Sequence, residues 1–191
     1  MSKHLNAITF LLLLAAMATA QEGASIRFEQ FISLRNAGNP MISPDGKHVA
    51  YTVTTTDWKG NGYDTEIWLA RAGEAPFQLT RTAKGSSTSP QWSPDGRWIA
   101  FSANRGDKNQ VFAIRPDGGE AQVVTAESEG IGSFAWSPDG RQLAFTKQEP
   151  ESKADKKRKE RYGNWAVDNE EYRLSHLWVI DFQPDRMPAP Q

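Results

Sequence analysis

Short apolar runs recur along the chain at intervals of 50 and then 44 residues, and each is introduced by the same polar turn. Ser-Pro-Asp-Gly stands at residues 43–46, 93–96 and 137–140. A basic residue follows each glycine (Lys47, Arg97, Arg141), and then a matched run. Val49, Ile99 and Leu143 are aliphatic, Ala50, Ala100 and Ala144 are small, and Tyr51, Phe101 and Phe145 are aromatic. Directly before each serine stands Ile42, Trp92 or Trp136. Proline presets φ for a type I turn, serine and aspartate accept local backbone hydrogen bonds, and glycine tolerates a positive φ. Ser43, Asp45, Gly46, Ser93, Asp95, Gly96, Ser137, Asp139 and Gly140 are therefore predicted to be structural turn residues. One strand should enter each turn and another leave it, and alanine beside an aromatic predicts close packing between neighbouring sheets.

A third strand is expected in TEIWLAR, NQVFAIR and SHLWVID. A short fourth follows the first two, around Phe77 to Thr80 and Ala121 to Thr125. Four short strands per repeat of this length are the pattern of a β-propeller blade. A sandwich of unrelated strands would not need the same turn at the same place in every unit. The predicted fold is all-β, an incomplete β-propeller of about three four-stranded blades: 40–80, 88–125 and 132–181. Blade three carries an insertion at 148–173 that includes the charge run ESKADKKRKER. That segment reads as a solvated insertion or as an element contacting a partner or substrate at one mouth of the propeller. Residues 26–39 form a lead-in, with Phe28, Phe31 and Ile32 at the spacing of a short amphipathic helix. Residues 182–191, with three prolines and no fourth strand for blade three, read as a cut.

Ahead of the lead-in, Lys3, an apolar stretch from Leu5 to Met17, and Ala18-Thr19-Ala20 make the three-part pattern of a secretory signal at 1–20. Export to a periplasmic or extracellular space, with cleavage near Ala20, is the expectation. The 191 residues include no cysteine, which excludes disulfides, thiolate metal sites and a cysteine nucleophile. Lys plus Arg total 22 against 23 Asp plus Glu, so nucleic acid is not an expected partner.

Chemistry-bearing motifs are sparse. No G-x-S-x-G elbow, H-E-x-x-H, Walker A or G-x-G-x-x-G motif occurs, so no catalytic residue, metal site or cofactor is assigned. His48 and His176 each fall inside a strand pattern and read as structural. Arg105-Gly106-Asp107 falls in a turn of blade two. Glu170 and Glu171, at the end of the insertion, are candidates for binding a positively charged group such as a peptide amino terminus.

The lead-in FEQFISLRNAGNPMISPDGKHVAYTV, the two WSPDG repeats and the charged insertion ending EEYRLSHLWVID together resemble a known group. It is the amino-terminal β-propeller of secreted prolyl oligopeptidase-family serine peptidases, in their acylaminoacyl-peptidase and dipeptidyl-peptidase-like branch. The repeat itself is also shared with TolB-like, WD40-like propellers. The peptidase resemblance implies further blades and a carboxy-terminal α/β-hydrolase domain as partners, with the propeller gating access of short peptides to a triad that lies outside this chain. Glu170 and Glu171 would correspond to the amino-terminus clamp of dipeptidyl peptidases. The chain alone is then expected to be inactive, and self-association of an open arc is available to it. A TolB-like periplasmic interaction module without hydrolase activity is the alternative.

Overall fold

The computed structural model describes residues 25–83, 85–163 and 173–184. The signal-like leader and Glu170 and Glu171 lie outside the described residues. The chain divides into two units, residues 1–34 and 35–191. In the first, α1 (Phe28–Ile32) is a single turn and a half with no buried residue. Its first turn is closed by Gln30 Oε1, which accepts the Arg27 N–H at 3.0 Å. No helix among the described residues is long and apolar enough to cross a membrane.

The second unit is built of antiparallel sheets. Blade one comprises β1 (Asn36–Ile42), β2 (His48–Asp57), β3 (Gly62–Arg71) and β4 (Phe77–Gln78), hydrogen-bonded in that order. Blade two repeats the order with β5 (Ser87–Trp92), β6 (Ile99–Ala103), β7 (Gln110–Arg115) and β8 (Gly118–Val123). Blade three has three described strands, β9 (Phe134–Trp136), β10 (Gln142–Gln148) and β11 (Ser175–Asp181). This is an all-β, propeller-like arrangement of four-, four- and three-stranded sheets. One boundary moves: Asn36 to Gly38 pair with β2, so the first strand of blade one begins within the stretch read as lead-in. Gly38 and Met41 flank a bulge that holds Asn39 and Pro40. The same shift recurs between Thr88 and Gln91. In both strands the residue before proline, Asn39 or Ser89, takes a positive φ (48° and 54°), a conformation disfavoured for an L-residue.

The alternation of large and small residues decides which way each strand faces. Ile99 and Phe101 of β6 turn toward blade one, into a cluster with Ala50, Ile67 and Leu69. Ala100 of the same strand turns the other way, into a cluster with Leu143 and Phe145 of blade three. Ile67, Leu69, Ile99 and Phe101 are fully buried, each contributing about 1.5–3 kcal/mol of hydrophobic stabilisation. Sandwiched on both faces, β6 is buried at every position. Phe182, just past β11, is wedged edge-on against Trp136 and Trp98, with ring centroids 4.7 and 5.6 Å away. Within the insertion, α2 (Lys153–Tyr162) starts at Ser152, whose hydroxyl accepts the Asp155 N–H at 3.0 Å. None of its residues is buried, and Glu151 pairs with Lys159 at 2.6 Å across its first turns.

Candidate functional site

The three turns are built identically. In each, the serine hydroxyl donates to Oδ1 of the aspartate two residues on, at 2.5 Å (Ser43–Asp45), 2.6 Å (Ser93–Asp95) and 2.6 Å (Ser137–Asp139). The same serine oxygen accepts the backbone N–H five residues ahead, from His48, Trp98 or Gln142. The aspartate also accepts the N–H of Lys47, Arg97 or Arg141. Glycine closes the turn at φ 73°, 69° and 69°, where a β-carbon would be strained. The hydrogen bond from Ser43, with the Lys47 N–H next, holds Asp45 below the usual carboxylate pKa. Ser137 and the Arg141 N–H do the same for Asp139. Burial opposes the ionisation of Asp95 most strongly, yet Ser93 and the Arg97 N–H outweigh it and lower its pKa as well.

The first two of these turns line a cleft of about 550 Å³ between blades one and two. Its walls carry Ser43, Asp45, His48, Trp92, Arg97 and Asp117, among others. On paper Ser43, His48 and Asp45 make up a catalytic triad. The geometry is wrong for one: the Ser43 hydroxyl gives its proton to Asp45, and His48 Nδ1 stands 3.7 Å from that same carboxylate oxygen. Blades two and three make the identical turn with Trp98 and Gln142 at the histidine's place. The arrangement orders a turn and activates no nucleophile. Two cationic side chains nearby are also engaged. Arg71 bonds Pro116 O at 3.2 Å and Asp117 Oδ1 at 3.0 Å, joining blade one to blade two, while Arg115 lies 4.2 Å over the Trp98 ring.

The remaining candidates are dispersed. His176 Nε2 stands 2.7 Å from Glu149 Oε1, which helps lower the pKa of Glu149. Arg105 packs its guanidinium 4.6 Å from the Phe112 ring. Among the described residues no cluster of three or more His, Asp or Glu could hold a metal ion. Sequence reasoning missed two further groups. Glu66, 3% exposed, accepts from Thr80 Oγ and from both the N–H and hydroxyl of Thr82. Gln110, at the equivalent place in blade two, accepts from Thr125 Oγ and the Glu127 N–H. The available signal was a threonine 14 or 15 residues after each.

The second group joins the blades. Trp92 Nε1–H donates to Met41 O of blade one at 2.9 Å, and Trp136 Nε1–H donates to Gln91 O of blade two at 3.3 Å. In each case the acceptor lies two residues before the preceding turn's serine. The turns themselves also touch. A β-carbon on Gly96 would lie 3.6 Å from Pro44 Cδ, and one on Gly140 would lie 3.3 Å from Pro94 Cδ.

The family model described as TolB beta propeller domain matches residues 14–167. The uncharacterized peptidase YuxL of Bacillus subtilis is 32% identical over 107 residues, 56% of this chain and 16% of the relative. Dipeptidyl-peptidase 5 of Porphyromonas endodontalis is 28% identical over 106 residues, 56% of this chain and 15% of the relative. Among solved structures, Pyrococcus horikoshii acylaminoacyl peptidase superposes with a TM-score of 0.61 at 20% identity. That match covers 82% of this chain and 25% of the other, and at such identity it speaks for the fold alone. The matched stretch is thus about one sixth of the length of these curated relatives.

Proposed function

The chain belongs to the TolB beta propeller domain family, and on that premise we propose that it serves as the amino-terminal, non-catalytic propeller portion of an exported serine peptidase. In that reading the blades restrict access of short peptides to an α/β-hydrolase domain elsewhere in the protein. The observation that carries it is the 32% identity to a Bacillus subtilis peptidase over 107 residues. The site chemistry is in keeping with it, since the turn serines hand their protons to aspartates and have no base. The leader's three-part pattern supports export. Glu170 and Glu171 are proposed to receive the peptide amino terminus, by resemblance to the dipeptidyl peptidases.

The TolB-like reading, a partner-binding module with no hydrolase, is favoured by the family model itself. Two measurements separate them. Reading the coding DNA past the codon for Gln191 should reveal further blades and then a G-x-S-x-G elbow; a reading frame that closes the propeller and stops would favour the TolB-like module. The purified chain, given aminoacyl-nitroanilides and a fluorophosphonate probe, should neither hydrolyse nor label. Labelling of any serine in this chain would sink the non-catalytic assignment.

A further inference from the structure

At one position the three blades make the same contact in different ways. Five residues ahead of each turn serine stand Gly38, Thr88 and Gly132, and nine after it stand Thr52, Ser102 and Thr146. In blade one the Thr52 hydroxyl donates to Gly38 O at 3.0 Å. In blade three Thr146 Oγ1 accepts the Ser133 N–H at 2.9 Å. Glycine leaves room for both hydroxyls. A β-carbon would lie 3.4 Å from Thr52 Oγ1 at Gly38 and 2.6 Å from Thr146 Oγ1 at Gly132.

Blade two reverses the sizes. Thr88 fills the glycine position, serine takes the place of threonine, and Thr88 pairs with Ser102 across β5 and β6. The Ser102 hydroxyl then has no hydrogen-bond partner among the described residues, although Ser102 is only 8% exposed. A hydroxyl buried without a partner is costly, and a ligand that bonds it relieves that cost.

Ser102 is aimed into open space. Ala100, two residues earlier on β6, turns toward blade three, and side chains two apart on a strand share a face. On that side lies a cavity of about 310 Å³ between blade two and the residues leading into β9. Thr88, Ser89, Gln91, Ser102, Asn109 and Ser133 line it, and no charged side chain does. Gln91 Nε2 donates to Phe134 O at 2.9 Å, which fixes the amide and leaves Oε1 without a described partner. The strand bulge leaves Ser89 with no opposite residue on β6. Phe134 is 7% exposed and packed into the blade-three cluster, so no aromatic face is offered to a sugar ring.

We propose that this cavity binds a neutral peptide main-chain unit, with the Ser102 hydroxyl as its anchor. A peptide unit carries one donor and one acceptor. The Ser102 hydroxyl can meet either, and Gln91 Oε1 accepts an N–H. The uncharged lining selects the interior of a peptide over its ionised ends, because a charge brought there would have no counter-charge. Binding here requires no hydrolase, so the site stands or falls apart from the peptidase reading above.

Chemical-shift titration of the isotope-labelled chain tests it, with N-acetyl triglycine amide as the probe and unblocked triglycine and glucose as comparisons. The blocked peptide should shift the amide resonances of Thr88, Ser102 and Ser133. It should bind about tenfold more tightly than either comparison. Ser102→Ala keeps the cavity, removes the anchor and should weaken the blocked peptide about tenfold. The double variant Thr88→Gly/Ser102→Thr installs the pair used by blades one and three, and should abolish the shifts while the dispersed spectrum of a folded chain persists. Preference for glucose would make this a polyol site, and equal binding of blocked and unblocked triglycine would remove the selection for a neutral group. Undiminished binding by Ser102→Ala would remove the anchor, and no shift at these residues with any probe would remove the site. Each of these four results overturns the proposal.

Discussion

The carboxylate of Glu66 accepts the hydroxyl proton of Thr80 at 2.5 Å, while the Thr80 oxygen in turn accepts the Ile67 N–H at 2.9 Å. Through this relay a buried side chain holds the residues just past β4 to the middle of β3 and, through Thr82, the segment leading into blade two. Blade two makes the same relay with a neutral amide: Gln110 Oε1 accepts from Thr125 Oγ at 2.8 Å and from the Glu127 N–H at 3.0 Å. The Gln110 Nε2 group returns a bond to Glu127 O at 2.7 Å. Blade two thus runs its relay on one acceptor oxygen and a donating amide, whereas Glu66 accepts at both oxygens, Oε2 from Thr80 and Oε1 from Thr82.

Glu66→Gln should cost about 1–2 kcal/mol, because the amide keeps one acceptor oxygen but turns a donor toward the partner of the other. Glu66→Ala should cost about 2–4 kcal/mol, since it strands the Thr80 hydroxyl and the Thr82 N–H in a buried setting. Urea denaturation of the two variants checks the difference. Equal losses would mean that the relay is not what secures this connection.

The Ser-Pro-Asp-Gly turns allow the strain within a turn to be separated from the contact between turns. All three glycines sit at a nearly equal positive φ, so substitution by alanine brings a similar local cost of roughly 1–2 kcal/mol at each. A new β-carbon at Gly46 meets nothing within 4 Å, at Gly96 it meets Pro44 at ordinary contact distance, and at Gly140 it crowds Pro94 at 3.3 Å. Gly140→Ala should therefore be about 1 kcal/mol more destabilising than Gly46→Ala, with Gly96→Ala close to Gly46→Ala. Thermal unfolding of the three proteins gives the order. Three equal shifts would show that adjacent turns do not bear on one another.

Turn and strand were legible in the sequence because their causes are local. Proline, aspartate and glycine act within four residues, and the alternation of Ile99, Ala100 and Phe101 states which side chains point to which neighbour. Trp92 and Trp136 could be seen as a matched apolar pair, but not as staples. Their acceptors lie 51 and 45 residues away and are backbone carbonyls, which leave no mark in a sequence. The Glu66 relay was hidden differently. Its repeat positions hold Glu66, Gln110 and His176, three residue types that identity matching does not align, although each can hydrogen-bond. Ser43, Asp45 and His48 show the converse case, in which a composition suggestive of catalysis resolves into turn geometry. Asn39 and Ser89 take their positive φ at strand bulges; asparagine tolerates that conformation, whereas nothing in the serine side chain announces it.

Acid should loosen the blades through the turn aspartates. Asp45, Asp95 and Asp139 all have folded pKa values below the ordinary 3.8. Glu149, held by His176, and Glu151, held by Lys159, lie below the ordinary 4.5. For each, the unfolded chain binds the proton more readily, so the stabilisation is complete above the ordinary value and is lost as pH falls through the folded one. Asp64 runs the other way. Burial, with the nearby charges of Glu66 and Asp57, raises its pKa, so its ionisation costs stability and that cost is relieved at mildly acidic pH. The wild-type protein should therefore hold or slightly gain stability on mild acidification and then lose it below the ordinary carboxylate range. In the variant Asp45→Asn/Asp95→Asn/Asp139→Asn, the amide oxygen still accepts from the serine and the backbone N–H but without charge, and charge-assisted bonds are the stronger ones. It should begin less stable at pH 7 and lose less on acidification, so that the two urea-midpoint curves converge toward pH 3. Parallel curves over that range would mean that the acid loss arises elsewhere, with the Glu149–His176 and Glu151–Lys159 pairs next to be tested.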